Sequence, residues 1–116
     1  MSDCLFCRIV AGELPAEVVY STDRTVAFRD IEPVAPVHVL VVPRRHIENA
    51  GALTAEHAED LSAMLDAAQH VAEAEGIADA ERGYRLVFNV GPDALNSVPH
   101  LHLHVIGGRA MTWPPG

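Results

Sequence analysis

The chain has 116 residues, the size of a single domain, and 49% of them are hydrophobic, enough to fill a core. Sixteen acidic residues against eight basic ones leave a formal charge of −8, which excludes non-specific nucleic-acid binding, because that needs clustered basic side chains against phosphates. No apolar run reaches the about 18–20 residues of a membrane span, and no basic region precedes a long apolar stretch at the N-terminus, so a cytoplasmic protein with no membrane partner is expected.

Cys4 and Cys7 stand first, in Cys-x-x-Cys spacing. In a cytoplasmic setting such a pair points to metal binding or redox chemistry before a structural disulfide, and two inert small hydrophobes are the bland alternative. A thioredoxin-like pair should follow a strand and open a long helix, whereas this one precedes the first strand. Residues 4–11 predict a short helix ended by Gly12, with Pro15 beyond it. Residues 17–21 predict a strand, Asp23-Arg24 a turn, and 25–30 a second strand stopped by Pro33 and Pro36. Residues 37–42 are a near-continuous apolar third strand, with His38 on the face of Leu40 and Val42.

Residues 54–75 predict the one long helix, with Thr54 as N-cap, Glu56 in its first turn and Gly76 at its end. Leu61, Met64, Leu65, Ala68, Val71 and Ala72 form its apolar stripe, and His57 and His70 read as surface or packing residues. Residues 84–90 predict a fourth strand, 91–99 a loop of turn formers, and 100–106 a fifth strand. The tail, 109–116, ends Trp-Pro-Pro-Gly. Strands joined by short turns on either side of one helix imply an α+β fold: a five-stranded antiparallel sheet, one long helix on one face and a short N-terminal helix, as a single domain over 1–116.

The fifth strand carries the chemistry. His100, His102 and His104 alternate with Leu101, Leu103 and Val105, so one face is imidazole and the other is core. Next-but-one Cα atoms lie about 6.6 Å apart and the outer pair about 13 Å apart. Two neighbours of the three can reach one zinc, with bonds of about 2.0–2.1 Å, but all three only with difficulty. The spacing therefore suggests divided labour, with an end histidine serving a metal and the others acid, base or nucleophilic work. The bland alternatives are a surface metal-binding strip or satisfied core histidines.

The sequence His100-Leu101-His102-Leu103-His104-Val105-Ile106 resembles the signature of the histidine-triad (HIT) superfamily. Other blocks are similar to its Hint branch, the nucleotide-binding phosphoramidases. They are Phe28-Arg29-Asp30-Ile31-x-Pro33-x-Ala35-Pro36-x-His38, Val42-Pro43-x-x-His46-Ile47, Asn89-Val90-Gly91, Ser97-Val98-Pro99, and Gly107-Gly108-Arg109-x-Met111-x-Trp113-Pro114-Pro115-Gly116. The resemblance covers essentially the whole chain.

That resemblance implies a hydrolase of nucleoside 5′-phosphoramidates with a purine nucleotide as substrate. His102 is then the nucleophile, His104 holds phosphoryl oxygens, His38 extends the polar network and Ser97 meets the leaving amine. Asn89, Asn96 and Val98 would lie around the phosphate, Asp30 would accept the ribose hydroxyls, and Phe28, Ile31 and Ile9 would form the base slot. A phosphate held by backbone dipoles is compatible with an acidic chain. The zinc-bearing relatives imply that Cys4, Cys7, His46 and His100 form a structural zinc site, with no catalytic cofactor. The resemblance also implies a homodimer with Trp113 of the tail near the neighbour's triad. One departure is Ala94-Leu95-Asn96-Ser97, where many Hint relatives carry Gly-Gly-Gln-Ser. Two other readings stay open: a dinucleoside polyphosphate hydrolase or nucleotidyltransferase of the same superfamily, and a nucleotide-binding interaction module. For single residues the bland readings are a turn carboxylate for Asp30, a cap for Ser97 and a strand end for Asn89.

Overall fold

A computed structural model describes residues 3–116. In chain order the elements are α1 (Leu5–Val10), β1 (Val18–Ser21), β2 (Thr25–Arg29), β3 (Val37–Pro43), α2 (Ala58–Ala74), β4 (Tyr84–Val87) and β5 (Leu103–Gly107). The strands form one sheet in the order β1-β2-β3-β5-β4, antiparallel at every pairing. This is the α+β architecture expected from the sequence. Among the described residues no helix is long and apolar enough to cross a membrane.

β3 lies at the centre and is buried along its whole length, which is why its sequence is a Val-rich run and not an alternation. Its two faces serve different cores. Val39 and Val41 join Leu103, Val105 and Ala27 under α2, against Met64, Ala67, Ala68, Val71 and Ala72. The alanines let the helix sit close to the sheet, and Gly76 at φ +75° ends it while the Ile77 N–H returns to the Ala72 carbonyl at 3.0 Å. On the other face Leu40 and Val42 join Val26, Phe28 and Phe6, so α1 covers the side on which His38 also projects.

Several boundaries and one stripe differ from expectation. α2 begins at Ala58, not at residue 54. Thr54 caps a 3-10 turn, Ala55–His57, because the His57 ring reaches back to accept the Thr54 N–H at 3.0 Å and closes a tight turn first. The stripe buries Ala67 as well and leaves Leu65 37% exposed. Asp60 is buried in the same helix, held by Arg24 at 3.1 Å and Arg45 at 3.5 Å. β4 stops at Val87 instead of residue 90, and β5 starts at Leu103 instead of His100. β3 pairs with β5 only as far as Val41 opposite Leu103, and the Leu101 N–H is taken by the Ile47 carbonyl. The in-and-out alternation nevertheless continues: Leu101 is in the helix-side core, and His102 and His104 face the other way.

Candidate active site

Three imidazoles meet on the α1 side of the sheet, and backbone groups fix their protons. The Val34 N–H donates to His38 Nδ1 at 3.1 Å, so the neutral ring carries its proton on Nε2. That N–H donates to His104 Nδ1 at 2.9 Å and lies 3.4 Å from an Asp30 carboxylate oxygen. His104 then carries its own proton on Nε2, 3.5 Å from the Asn89 side-chain nitrogen, which is itself a donor and does not accept it. His102 is set the other way. Its Nδ1–H donates to the His100 carbonyl at 2.8 Å, which leaves Nε2 as a bare lone pair. The Phe6 ring meets His102 edge-on at 5.1 Å and holds the imidazole in that orientation.

Electrostatics agree with this chain of donors. Burial pushes His104 down from 6.5 to about 4; neighbouring His102 and His38 push the same way, and Asp30 opposes them. Burial also lowers His38, again against Asp30. Both rings are therefore neutral near pH 7 and act as relays of hydrogen bonds. Asp30, His38 and His104 bring their ligand atoms within 4.8 Å of one another. His38 nevertheless has no lone pair to offer there, because its Nε2 is the protonated nitrogen.

His102 and His104 face a cleft of about 420 Å³. Ile9, Phe28, Asp30, Ile31, Asn89, Ser97 and Val98, all expected at the site, line it as well. His38 stands behind His104 and shapes the cleft through it. Three residues of the expected set do not line this chain's own cleft. Asn96 is not in the cleft wall, and its Oδ1 is shut away from solvent without a hydrogen-bond partner. Trp113 is 81% exposed, with the Arg85 guanidinium 6.0 Å from its ring. The His100 ring is fully buried outside the cleft, and only its carbonyl serves the site. Phe6, Leu5 and Leu40 also line the cleft and were not expected there, and Leu95, at the departure from the Hint loop, lines it too. The face shared by His38 and Leu40 was the available signal for Leu40; nothing local pointed to Phe6. A second cavity, of about 400 Å³, opens beside Arg82, Arg85 and Arg109, away from every histidine.

The His100 ring belongs to a second cluster. Cys4 is the N-cap of α1 and Cys7 lies three residues on, so both sulfurs reach the same side. His100 Nδ1 lies 3.3 Å from each sulfur and 3.2 Å from His46 Nδ1, which is 3.2 Å from Cys7 Sγ. A tetrahedral zinc with usual bond lengths needs edges of about 3.5 Å between sulfur and nitrogen and about 3.3 Å between nitrogens. His100 Nε2–H donates to the Pro43 carbonyl at 2.9 Å, which turns the Nδ1 lone pair inward and supplies the outer support that metal-bound histidines use. The donor set fits zinc.

Comparison with known proteins agrees with this geometry. Residues 11–111 match the HIT domain. A 14 kDa zinc-binding protein of Brassica juncea is 44% identical over 116 residues, covering 98% of this chain and all 100% of that protein. The adenylylsulfatase HINT1 of Arabidopsis thaliana is 44% identical over 117 residues, covering 99% of this chain and 78% of that one. Among solved structures, a HIT family hydrolase from Legionella pneumophila superposes with a TM-score of 0.94 at 47% identity, over 98% of this chain and 100% of that one. A histidine-triad strand, a sheet of this order and a match of this extent define one class of protein, and the chain belongs to the HIT superfamily. Within it the chain falls in the Hint-like branch.

Proposed function

We propose that this chain hydrolyses nucleoside 5′-monophosphoramidates, with purine nucleotides as substrates, through a nucleotidyl-histidine intermediate. The observation that carries this reading is the His102 tautomer: the Nδ1–H is held by the His100 carbonyl and the Nε2 lone pair is left for attack. Nε2 attacks the α-phosphorus, the P–N bond breaks and the amine leaves with a proton taken from solvent, which the attacking water gives back in the second step. The phosphorylated imidazole is then a cation, and the His100 carbonyl stabilises it through the Nδ1–H. His104 donates its Nε2–H to a phosphoryl oxygen. Water attacks phosphorus next, the P–Nε2 bond breaks, and the nucleoside monophosphate leaves with the lone pair restored to His102. Asp30 accepts the ribose hydroxyls, Ile9, Phe28 and Ile31 hold the base, and Ser97 and Asn89 contact the amine and phosphate.

Cys4, Cys7, His46 and His100 would hold one zinc, which would cross-link α1 to the segment before β5 and take no part in bond making. Its support is the four-atom geometry together with the relative that is named as zinc-binding. A homodimer, in which Trp113 anchors the tail on the partner, would cover an open sheet edge at β1 or β4 and bury a ring that is 81% exposed in one chain. A second reading is favoured by the adenylylsulfatase among the relatives: the same attack with sulfate in place of the amine as leaving group.

The test is a rapid acid-sensitive trapping experiment with adenosine 5′-phosphoramidate. The wild-type chain is expected to give a nucleotide bound to His102, and His102→Ala to lose turnover by at least about a thousandfold while nucleotide still binds. Near-normal hydrolysis by His102→Ala would overturn the mechanism. Turnover of adenylyl sulfate without turnover of the phosphoramidate would favour the second reading.

A further inference from the structure

Leu95 is the one non-glycine residue among the described positions with a positive φ, at φ 60° and ψ 35°. This left-handed conformation is unfavourable for a side chain with a Cβ. The chain holds it there from both sides: the Leu95 N–H donates to the Pro92 carbonyl at 3.0 Å and the Asn96 N–H to the Gly91 carbonyl at 3.1 Å. The side chain gains no burial in return, because it is 85% exposed. It nevertheless forms part of the cleft wall, two residues before Ser97 in the same loop. Strain and exposed apolar surface both work against stability here, and their coincidence at a cleft points to function.

Topology says which part of a substrate Leu95 meets. β2, which carries Phe28 and leads to Asp30, lies on one side of β3 and β5; the loop over 91–98 joins β4 to β5 on the other side. The catalytic histidines stand between these walls. With ribose and base on the β2 wall, the group departing from phosphorus faces the wall of Ser97 and Leu95. Leu5, 46% exposed, adds a further apolar surface to the same cleft.

We propose that Leu95 is a specificity-determining residue that selects leaving amines with an apolar aromatic or alkyl body. Such a body would pack on Leu95 beside the Ser97 hydroxyl. A second nucleotide or a polyphosphate would gain nothing from that wall, and the −8 charge of the chain disfavours it further. This rests on the phosphoramidase reading, and the experiment separates the two.

Adenosine 5′-phosphoramidates of 2-phenylethylamine and of ethanolamine are suitable probes, because the two amines have similar basicity and the P–N chemistry is matched. The measurement is the ratio of their kcat/KM values. The wild-type chain is expected to favour the phenylethyl substrate by about tenfold, the scale of a few added methylene contacts in a pocket. Leu95→Asn tolerates the left-handed backbone and removes the apolar surface; Leu95→Gly removes side chain and strain together. Both are expected to bring the ratio to within about twofold of unity, and Leu95→Met to keep the preference. Thermal midpoints of the two stripped variants no lower than wild type would confirm that the loop remains folded. A ratio unchanged in both Asn and Gly variants would overturn the role of Leu95. Failure of the folded wild-type chain to cleave either substrate would overturn the phosphoramidase reading instead.

Discussion

The His38–His104 pair makes the protein sensitive to mild acid in a way that can be isolated. His104 is held at about 4, below its ordinary value of 6.5, by burial first and then by His102 and His38, with Asp30 opposing. The folded state therefore resists a proton that the unfolded state accepts. The contribution is complete above pH 6.5, falls as pH drops through the window from 6.5 to about 4, and changes no further below it. At about 1.36 kcal/mol per pH unit, the loss across that window is at most about 3 kcal/mol and is reduced by solvent screening at a ring that reaches the cleft, yet it remains a sizeable part of the stability of a small domain. His104→Asn removes the titration and keeps a side chain able to hydrogen-bond His38. Urea unfolding of both proteins at pH 7.5, 6.5, 5.5 and 4.5 gives the difference between them, which cancels other acids, bases and metal ligands. Wild type is expected to lose its advantage over the variant by about 1 kcal/mol or more per pH unit between 6.5 and 4.5. Parallel curves would refute the assignment of a proton-resisting His104.

Metal content gives another check: protein purified without added metal is expected to contain about one zinc per chain, and Cys7→Ser to lose it. Chelation should raise hydrogen exchange over residues 4–10 well before that of α2, and no change in α1 protection after metal removal would sink the structural role. For the tail, light scattering at micromolar concentration is expected to show a dimer. Deletion of 112–116 should alter kcat/KM across a series of leaving amines more than it alters nucleotide affinity; a monomer, or kinetics identical across the series, would remove Trp113 from the site.

The sequence was informative wherever a side chain's position follows from strand alternation. His38 with Leu40, and Leu101 with Leu103 and Val105, fall on the faces that a period of two assigns. The same alternation survives in residues 100–102, which lie outside the hydrogen-bonded strand. What the chain pattern left hidden depends on partners far away in sequence. β5 starts late because the distant Ile47 carbonyl takes the Leu101 N–H. Asp60 is buried in a helix where a surface charge is the usual reading, because Arg24 and Arg45 arrive from the β1–β2 turn and the end of β3. Phe6 reads as an ordinary apolar residue of a short helix, and its contact with His102 exists only once the sheet has formed. Asn96 and Ser97 are adjacent and equally polar, yet only Ser97 reaches the cleft, a difference that residue type does not encode.

His100 presents its ring to the cysteine cluster and its carbonyl to His102. Ring and carbonyl belong to one residue, so a displacement of the ring is passed to the carbonyl. A chain that drops one cysteine puts at risk the position of the carbonyl that sets the tautomer of His102, even though neither cysteine lines the cleft. Transplanting the histidine strand without the N-terminal segment would therefore move the histidines without the constraint that makes them unequal. The strand, the short helix and His46 thus act as one unit around His100.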